Sequence, residues 1–499
     1  MKFPMRSVLI RPIFILSGLL LVSLFVAPLS ASAADARPNI VLIMADDLGG
    51  RDLAVYGNRF NETPNIDQLA RQGMMFHHAY AAPVCSATRA SIQSGQYPAR
   101  VGIFDFITGH WRPYEKVIVP KNRTQHLPED IVTLGDVMQG AGYKTGYFGK
   151  WHLNNGNENL PNVRGYDTAH MYAGGGFYAP KFNPAYNDGG DKRLSTQLTD
   201  MSIAFMTENK EEPFFLFLSH YDVHVQLDAD QDLIDKYLNK ERDPDYSSNA
   251  VYAAMIEHVD VSVGDLMQAA DGLGLADNTI FIFYSDNGGV DNRFDNNPLL
   301  TGNGKAAYPK GHPLTYVATT NAPLRAGKGT LYEGGIRVPL IVRWPGKVSS
   351  GSTSDALVSS VDFYPTFLEL AQGKASEKQV LDGFSMLPAL TENKFDPSRE
   401  VFTHYPVFHH EQPMSALRKG DWKIVENLMS GEFELFNLKF DVNEMTDLKY
   451  SYTEKTAEMK VALSKWQRDT NAQNPVPNPD FDPEKRYEWG RHPDRKKRN

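Results

Sequence analysis

The chain has 499 residues, 41% of them hydrophobic, with 51 Lys and Arg against 60 Asp and Glu, a formal net charge of -9. An acidic balance argues against a nucleic-acid binder, although a local basic pocket can still hold a polyanion. One cysteine, Cys85, excludes an intramolecular disulfide, so packing must hold the fold, and the length allows a large core with more than one structural unit.

The N-terminus has the pattern of a secretory signal. Lys2, Arg6 and Arg11 give a basic start, Ile13 to Val26 an apolar core, and Ala31-Ser32-Ala33 a small-residue cleavage site. The core is short for a spanning helix, and nothing downstream is long and apolar enough to span. The mature chain is therefore expected to be exported, periplasmic or secreted, with no membrane segment after cleavage. Removing residues 1–33 takes away three positive charges and no negative ones, so -9 becomes -12.

Asn39 to Ala45 is a continuous apolar run, as expected of a central strand covered on both faces, and it ends abruptly in Asp46-Asp47. Adjacent acids at the end of a buried strand are costly unless solvated, paired or bound to a cation. An ordinary polar loop remains the alternative. Ala79 to Ala82 then leads into Cys85-Ser86-Ala87-Thr88-Arg89, a helix start with Ser86 or Thr88 as N-cap. Such a terminus favours an anion, and Arg89 returns to the face of Cys85 after one turn.

Thr133 to Gln139 predicts a helix closed by Gly140, and Lys144 to Phe148 a strand running into Gly149-Lys150-Trp151-His152. Lys150 and His152, two apart in an extended segment, share a face. Phe214 to Leu218 is another buried-strand pattern, followed by His220 and His224. Either histidine could serve a site or simply be hydrogen-bonded in the core. Ser247 to Ala270 has helical apolar spacing, and Thr279 to Tyr284 is a further strand ending in Ser285-Asp286-Asn287-Gly288. Two strands ending in Asp-Asp and Asp-Asn bring four oxygen donors to one edge of a parallel sheet, a set that selects calcium or magnesium over zinc. Strands alternating with helices predict an α/β sandwich around a mostly parallel sheet.

Val290 to Pro323 is a long polar loop, and Lys328 follows between two glycines that allow close backbone approach to a ligand. From Asn393 the texture changes to short strands (Val401 to Tyr405, Met414 to Arg418, Trp422 to Glu426, Phe433 to Phe440) and a helix, Glu454 to Asp469. Asn471 to Asn499 is expected to extend over the surface or fray.

Taken in order, Asp46-Asp47, Cys85-x-Ala87-x-Arg89, Gly149-Lys150-Trp151-His152, His224, Asp286-Asn287-Gly288 and Gly327-Lys328-Gly329 with Glu333-Gly-Gly-Ile-Arg337-Val-Pro339 resemble the type I formylglycine-dependent sulfatases. Phe433 to Leu438 is similar to that family's C-terminal subdomain. The resemblance implies an alkaline-phosphatase-like fold, divided as signal peptide 1–33, catalytic domain 34–392 and C-terminal α+β subdomain with tail 393–499. It implies one calcium ion on Asp46, Asp47, Asp286, Asn287 and modified Cys85, and a maturation enzyme that oxidises Cys85 to formylglycine.

By the same resemblance, the hydrated aldehyde would attack sulfur in line and break the S–O bond. Arg89 would hold the diol, and Lys150, His224 and Lys328 would bind sulfate, with His224 or Lys328 as the acid. His152 would deprotonate the second hydroxyl, releasing sulfate and restoring the aldehyde. Ala87 and Ser94 depart from the commoner Pro and Thr, and His224 lacks flanking prolines. The implied substrate is a sulfated carbohydrate, a polysaccharide or its oligosaccharides such as a sulfated galactan or glycosaminoglycan. Trp111, Arg112, Arg164, His170, Tyr172, Arg293, His312, His409 and His410 suit a sugar pocket. The alternatives are an arylsulfatase, or a phosphate or phosphonate monoester hydrolase on the same scaffold.

Overall fold

In the computed structural model, which describes Met1, Pro4 and residues 37–187, 189–291 and 297–495, the continuous apolar runs become the centre of a sheet. The expected cleavage site and Arg293 lie outside the described residues. The first seven strands are β1 (Asn39–Ala45), β2 (Met74–Tyr80), β3 (Val117–Ile118), β4 (Lys144–Gly149), β5 (Thr168–Tyr172), β6 (Phe182–Asn183) and β7 (Phe214–Ser219). Then come β8 (Thr279–Ser285), β9 (Leu340–Arg343), β10 (Ser352–Ser359), β11 (Glu400–Tyr405), β12 (Met414–Lys419), β13 (Trp422–Asn427), β14 (Phe433–Asn437) and β15 (Val476–Pro477).

Nine strands form the large sheet in the order β10-β2-β9-β8-β1-β7-β4-β5-β6. The middle five, β8 to β5 in that order, are mutually parallel, whereas β9 and β6 run antiparallel to their neighbours. Strand side chains alternate between faces, and β1 feeds two cores. Val41 and Ile43 pack in one core with the helices Leu194–Glu208 and Ala250–Gly272. Ile40, Leu42 and Met44 pack in the other with the helices Leu134–Gly140 and Phe363–Leu370. The result is the expected α/β sandwich.

Strands β11 to β14 form a smaller antiparallel sheet, covered by the helix Thr453–Asp469 through Met459, Leu463 and Trp466. One expectation needs correction. Thr133 caps the helix Leu134–Gly140 instead of starting it: its side chain accepts from Asp136 N in a reciprocal capping box. Of the two expectations for the C-terminal tail, extension over the surface holds for the described residues, where β15 pairs with β3. Among the described residues no helix is long and apolar enough to cross a membrane.

Candidate active site

The parallel register sets the carboxyl ends of four strands level: Ala45 pairs with Ser285, Met44 with Ser219, and Gly149 with Ser219. Asp46-Asp47, Lys150 with His152, the His220–His224 loop, and Asp286-Asn287 therefore leave the sheet at one edge, where ligand sites of such sheets lie. Close packing of β4 on β7 requires glycine at 149, since a Cβ there would sit 1.9 Å from Ser219 O, at φ +111°.

The helix Cys85–Ser94 rises into this edge with all ten residues buried. It begins at Cys85 itself with Val84 as N-cap, so neither Ser86 nor Thr88 caps it. Both hydroxyls tie the helix to the rest of the site instead. Thr88 Oγ1 accepts from Ala82 N and donates to Asp286 O at 2.6 Å, and Ser86 Oγ donates to His152 O at 2.9 Å. Small side chains make this possible, because a bulkier helix could not pack so close to the strand ends.

Arg89 joins the strand ends. Its Nη1 donates to Lys150 O at 2.6 Å and to Ser219 Oγ, while its Nη2 reaches Asp286 Oδ2 at 2.9 Å and Asp46 Oδ2 at 3.1 Å. Lys150 Nζ stands 2.5 Å from Asp46 Oδ2, and Lys328 Nζ 2.5 Å from Asp47 Oδ1. Asn287 Nδ2 donates to Asp47 Oδ1 at 2.8 Å, and Asp47 N to Asp286 Oδ1 at 3.1 Å. Three carboxylates thus face three cations.

Cys85 Sγ lies 3.2 Å from His152 Nδ1, and His152 Nε2 lies 2.9 Å from Ile107 O. A carbonyl only accepts, so Nε2 carries the ring proton and Nδ1 presents its lone pair to position 85. Burial holds His152 well below the usual imidazole range, with Lys150 nearby adding to the effect. The ring is therefore neutral. Burial also raises the Cys85 thiol, against the pull of Lys150 and Lys328, so the S–H donates to Nδ1. Asp47 and His152 both hold left-handed backbones, at φ 63° and 55°, a strain of roughly 1–3 kcal/mol each that the surrounding bonds must sustain.

Three buried oxygens here have no hydrogen-bond partner: Asp46 Oδ1, Asp47 Oδ2 and Asn287 Oδ1. His224 Nε2 stands 3.6 Å from Asp47 Oδ2, and ligand atoms of Asp46, Asp47 and His224 lie within 4.8 Å of one another. Burial would raise Asp47, but Lys328, His224 and Lys150 hold it below the usual carboxylate range. Asp46 is raised by burial despite Lys150 and Arg89, and Asp286 goes to about 6 by burial and the neighbouring Asp46. Orphaned, dehydrated oxygens on two carboxylates and an amide fit a hard oxygen-seeking cation.

Two cavities meet at His152 and His224. One, of about 360 Å³, reaches Cys85 and Lys328 and is walled by Phe106, His110, His409 and His410. The other, of about 500 Å³, is lined by Lys150 and by Asn154, Asn157, Tyr172, Asn183 and Tyr221. His409, His410 and Tyr172 thus lie where a sugar pocket was expected. Several other candidates do not. Arg164 is buried and donates to the carbonyls of Pro128 and Ile131 and to Asn159 Oδ1. His312 accepts from Leu314 N and stacks on Tyr308, and His170 stacks on Phe148 beside Pro184 O. Trp111 and Arg112 pack against the C-terminal tail. Sequence reasoning missed Phe106, Ile107 and His110, whose loop carries no regular element; the aromatic-rich run Phe104 to Trp111, with its single histidine, was its only signal.

The chain is similar to known proteins. The sulfatase family model matches residues 38–374, and the model of the C-terminal region of N-sulphoglucosamine sulphohydrolase matches residues 327–469. The chain belongs to the sulfatase family, the type I sulfatases of the alkaline-phosphatase-like superfamily, and is a sulfuric ester hydrolase. It is 32% identical to a sulfatase of Formosa agariphila, covering 87% of this chain and 89% of that one. It is also 32% identical to human arylsulfatase A, covering 79% and 76%. The crystal structure of Ps i-CgsB in complex with k-i-k-neocarrahexaose superposes with a TM-score of 0.73 at 28% identity, over 89% of this chain and 95% of that chain.

Proposed function

We propose that this enzyme is exported and removes sulfate esters from a sulfated carbohydrate, a polysaccharide or its oligosaccharides, by cleaving the S–O bond. The observation that carries the reading is Cys85, held by a neutral His152 beside three orphaned oxygens and two lysines. The adjoining cavity adds support for a carbohydrate: amides on Asn154, Asn157 and Asn183 suit sugar hydroxyls, and Tyr172 and Tyr221 offer faces for a ring.

Asp46, Asp47, Asp286 and Asn287, with an oxygen at position 85, would hold one calcium ion, which would supply fixed positive charge against the sulfate oxygens. Oxidation of Cys85 to formylglycine by a maturation enzyme would supply a hydratable aldehyde, and so an oxygen nucleophile for sulfur. Lys150, Lys328 and His224 would bind the sulfate oxygens, and Lys328 or His224 would protonate the leaving alcohol. His152 Nδ1 would take the proton from position 85 that allows sulfate to depart, while Ile107 O keeps the ring in the required tautomer. Arg89 would keep position 85 aligned with the strand ends.

The test is the mass of the Cys85 peptide from protein made in its own host, together with release of inorganic sulfate from sulfated oligosaccharides in ¹⁸O-labelled water. An aldehyde mass and label in the sulfate are expected. An intact thiol with no sulfate released sinks the reading. Faster turnover of simple aryl sulfates than of any sulfated oligosaccharide would replace the carbohydrate with an aryl substrate.

A further inference from the structure

The tail beyond residue 469, outside both matched family regions, lies along the segment that follows Phe106, Ile107 and His110 in the wall of the Cys85 cavity. β15 pairs with β3, and Asn478 donates through Nδ2 to Glu115 O at 2.7 Å and to Pro113 O at 2.9 Å. Asp482 N donates to Tyr114 O, and Gly490 N to Trp111 O at 2.9 Å. Arg486 Nη2 stands 3.0 Å from Oε1 of Glu115, a wholly buried carboxylate. Lys121 pairs with Asp494 at 2.9 Å. From 476 to 490 the tail therefore runs antiparallel to residues 111–118, and Asp494 then returns to Lys121, so the tail is fixed at both ends.

At the end of this run, half-buried Trp489 packs against His110, which lines the cavity, and against Arg112 two residues on. Its ring centroid is 5.0 Å from that of His110 and 4.2 Å from the Arg112 guanidinium carbon. His110 in turn packs against His409, another lining residue of the cavity, with the ring centroids 4.7 Å apart. The neighbouring loop has an anchor of its own: Asp105 accepts from Phe106 N and His110 N, and Asn122 accepts from Phe104 N and Asp105 N. Ile107, which sets the His152 tautomer, donates its N–H to Ser86 Oγ at 3.2 Å and is thus held without the tail.

We infer that Trp489 is a positioning residue for the substrate: held by the tail, it sets His110 in the cavity wall, so the tail governs affinity for extended substrates without entering the reaction at position 85. The affinity test rests on the carbohydrate reading above, whereas the structural test below does not.

In the mature enzyme, Trp489→Ala should raise KM for a sulfated oligosaccharide about tenfold, because the indole no longer braces His110 and Arg112, with kcat within about twofold. Trp489→Phe should restore most of the affinity, and exposed Phe481→Ala on the same tail should leave KM and kcat unchanged. Independently of any substrate, amide exchange across 109–112 should quicken in Trp489→Ala while that of the Cys85–Ser94 helix stays as in the parent. Unchanged exchange at 109–112 overturns the inference. So does an unchanged KM in an enzyme that hydrolyses the oligosaccharide, or a fall in kcat that Trp489→Phe does not rescue. A parent enzyme that acts only on aryl sulfates rejects the carbohydrate reading, and the exchange measurement then decides the role of Trp489 alone.

Discussion

Two clusters of buried charge stand at the two ends of one short segment, Lys328 to Glu333, and they differ in how completely they are paired. At the active site, Asp46, Asp47 and Asn287 each leave an oxygen without a hydrogen bond. Around Glu333 every carboxylate oxygen faces a donor or cation. Its Oε1 accepts from Lys423 Nζ at 2.9 Å and its Oε2 from Tyr80 OH at 2.6 Å. Glu444 Oε2 accepts from Glu333 N at 2.7 Å, and its Oε1 lies 2.8 Å from the same Lys423. Burial would raise Glu333, but Lys423, Arg418 and Arg337 hold it at about 2. Both clusters are dry, so burial alone does not mark a site. Glu444 Oε1 also lacks a hydrogen bond but has the Lys423 ammonium against it, so the mark of the site is several unpartnered oxygens gathered in one place rather than a single one.

Substitutions can separate the two clusters, and their expected effects fall in the following order. Cys85→Ala should lower sulfate release by at least about 10⁴-fold, the scale of losing a nucleophile, with little change in Tm by calorimetry. Lys423→Met should do the reverse. It strands two buried carboxylates and should cost about 3–5 kcal/mol of stability in denaturant titrations, with kcat per folded molecule unchanged. A large loss of kcat in folded Lys423→Met would show that the two clusters are not separate. Asp47→Asn removes charge facing Lys328 and the orphaned region together, and should lower kcat about 10²- to 10³-fold. Calcium at a hundredfold excess over its dissociation constant should stabilise the parent by about 2.7 kcal/mol, read as a rise in Tm that a chelator reverses. That rise should vanish in Asp46→Asn and persist in Lys423→Met. A rise lost in Lys423→Met but kept in Asp46→Asn would place the ion in the wrong cluster.

The centre of the sheet was legible because β1, β7 and β8 are buried on both faces and therefore read as unbroken apolar runs. The outer strands were not. β2 carries His77 and His78, β10 mixes Ser, Thr and Asp with apolar residues, and β6 and β9 are short, so neither period nor length distinguishes them from loop. In the site, acids closing a buried strand were conspicuous because their position is costly. Polar residues in loops gave no such signal. Arg164 and His312 looked as suitable for a pocket as His409 and His410, yet they spend their hydrogen bonds on backbone groups that a coiled segment leaves over. The N-cap failed for a related reason. Thr88 had the right chemistry, but its hydroxyl is used across the site to Asp286 O, a partner 198 residues away.

Arg89 has a consequence for how the scaffold can change length. One guanidinium touches groups at the ends of β1, β4, β7 and β8, so it acts as a gauge of whether four separate chain segments finish level. Inserting one residue within any of these strands would turn its side chains to the opposite face and move one end by about 3.3 Å. The gauge would then lose a partner and the helix bearing Cys85 its alignment. Changes of length are therefore tolerated in loops, where no such gauge acts.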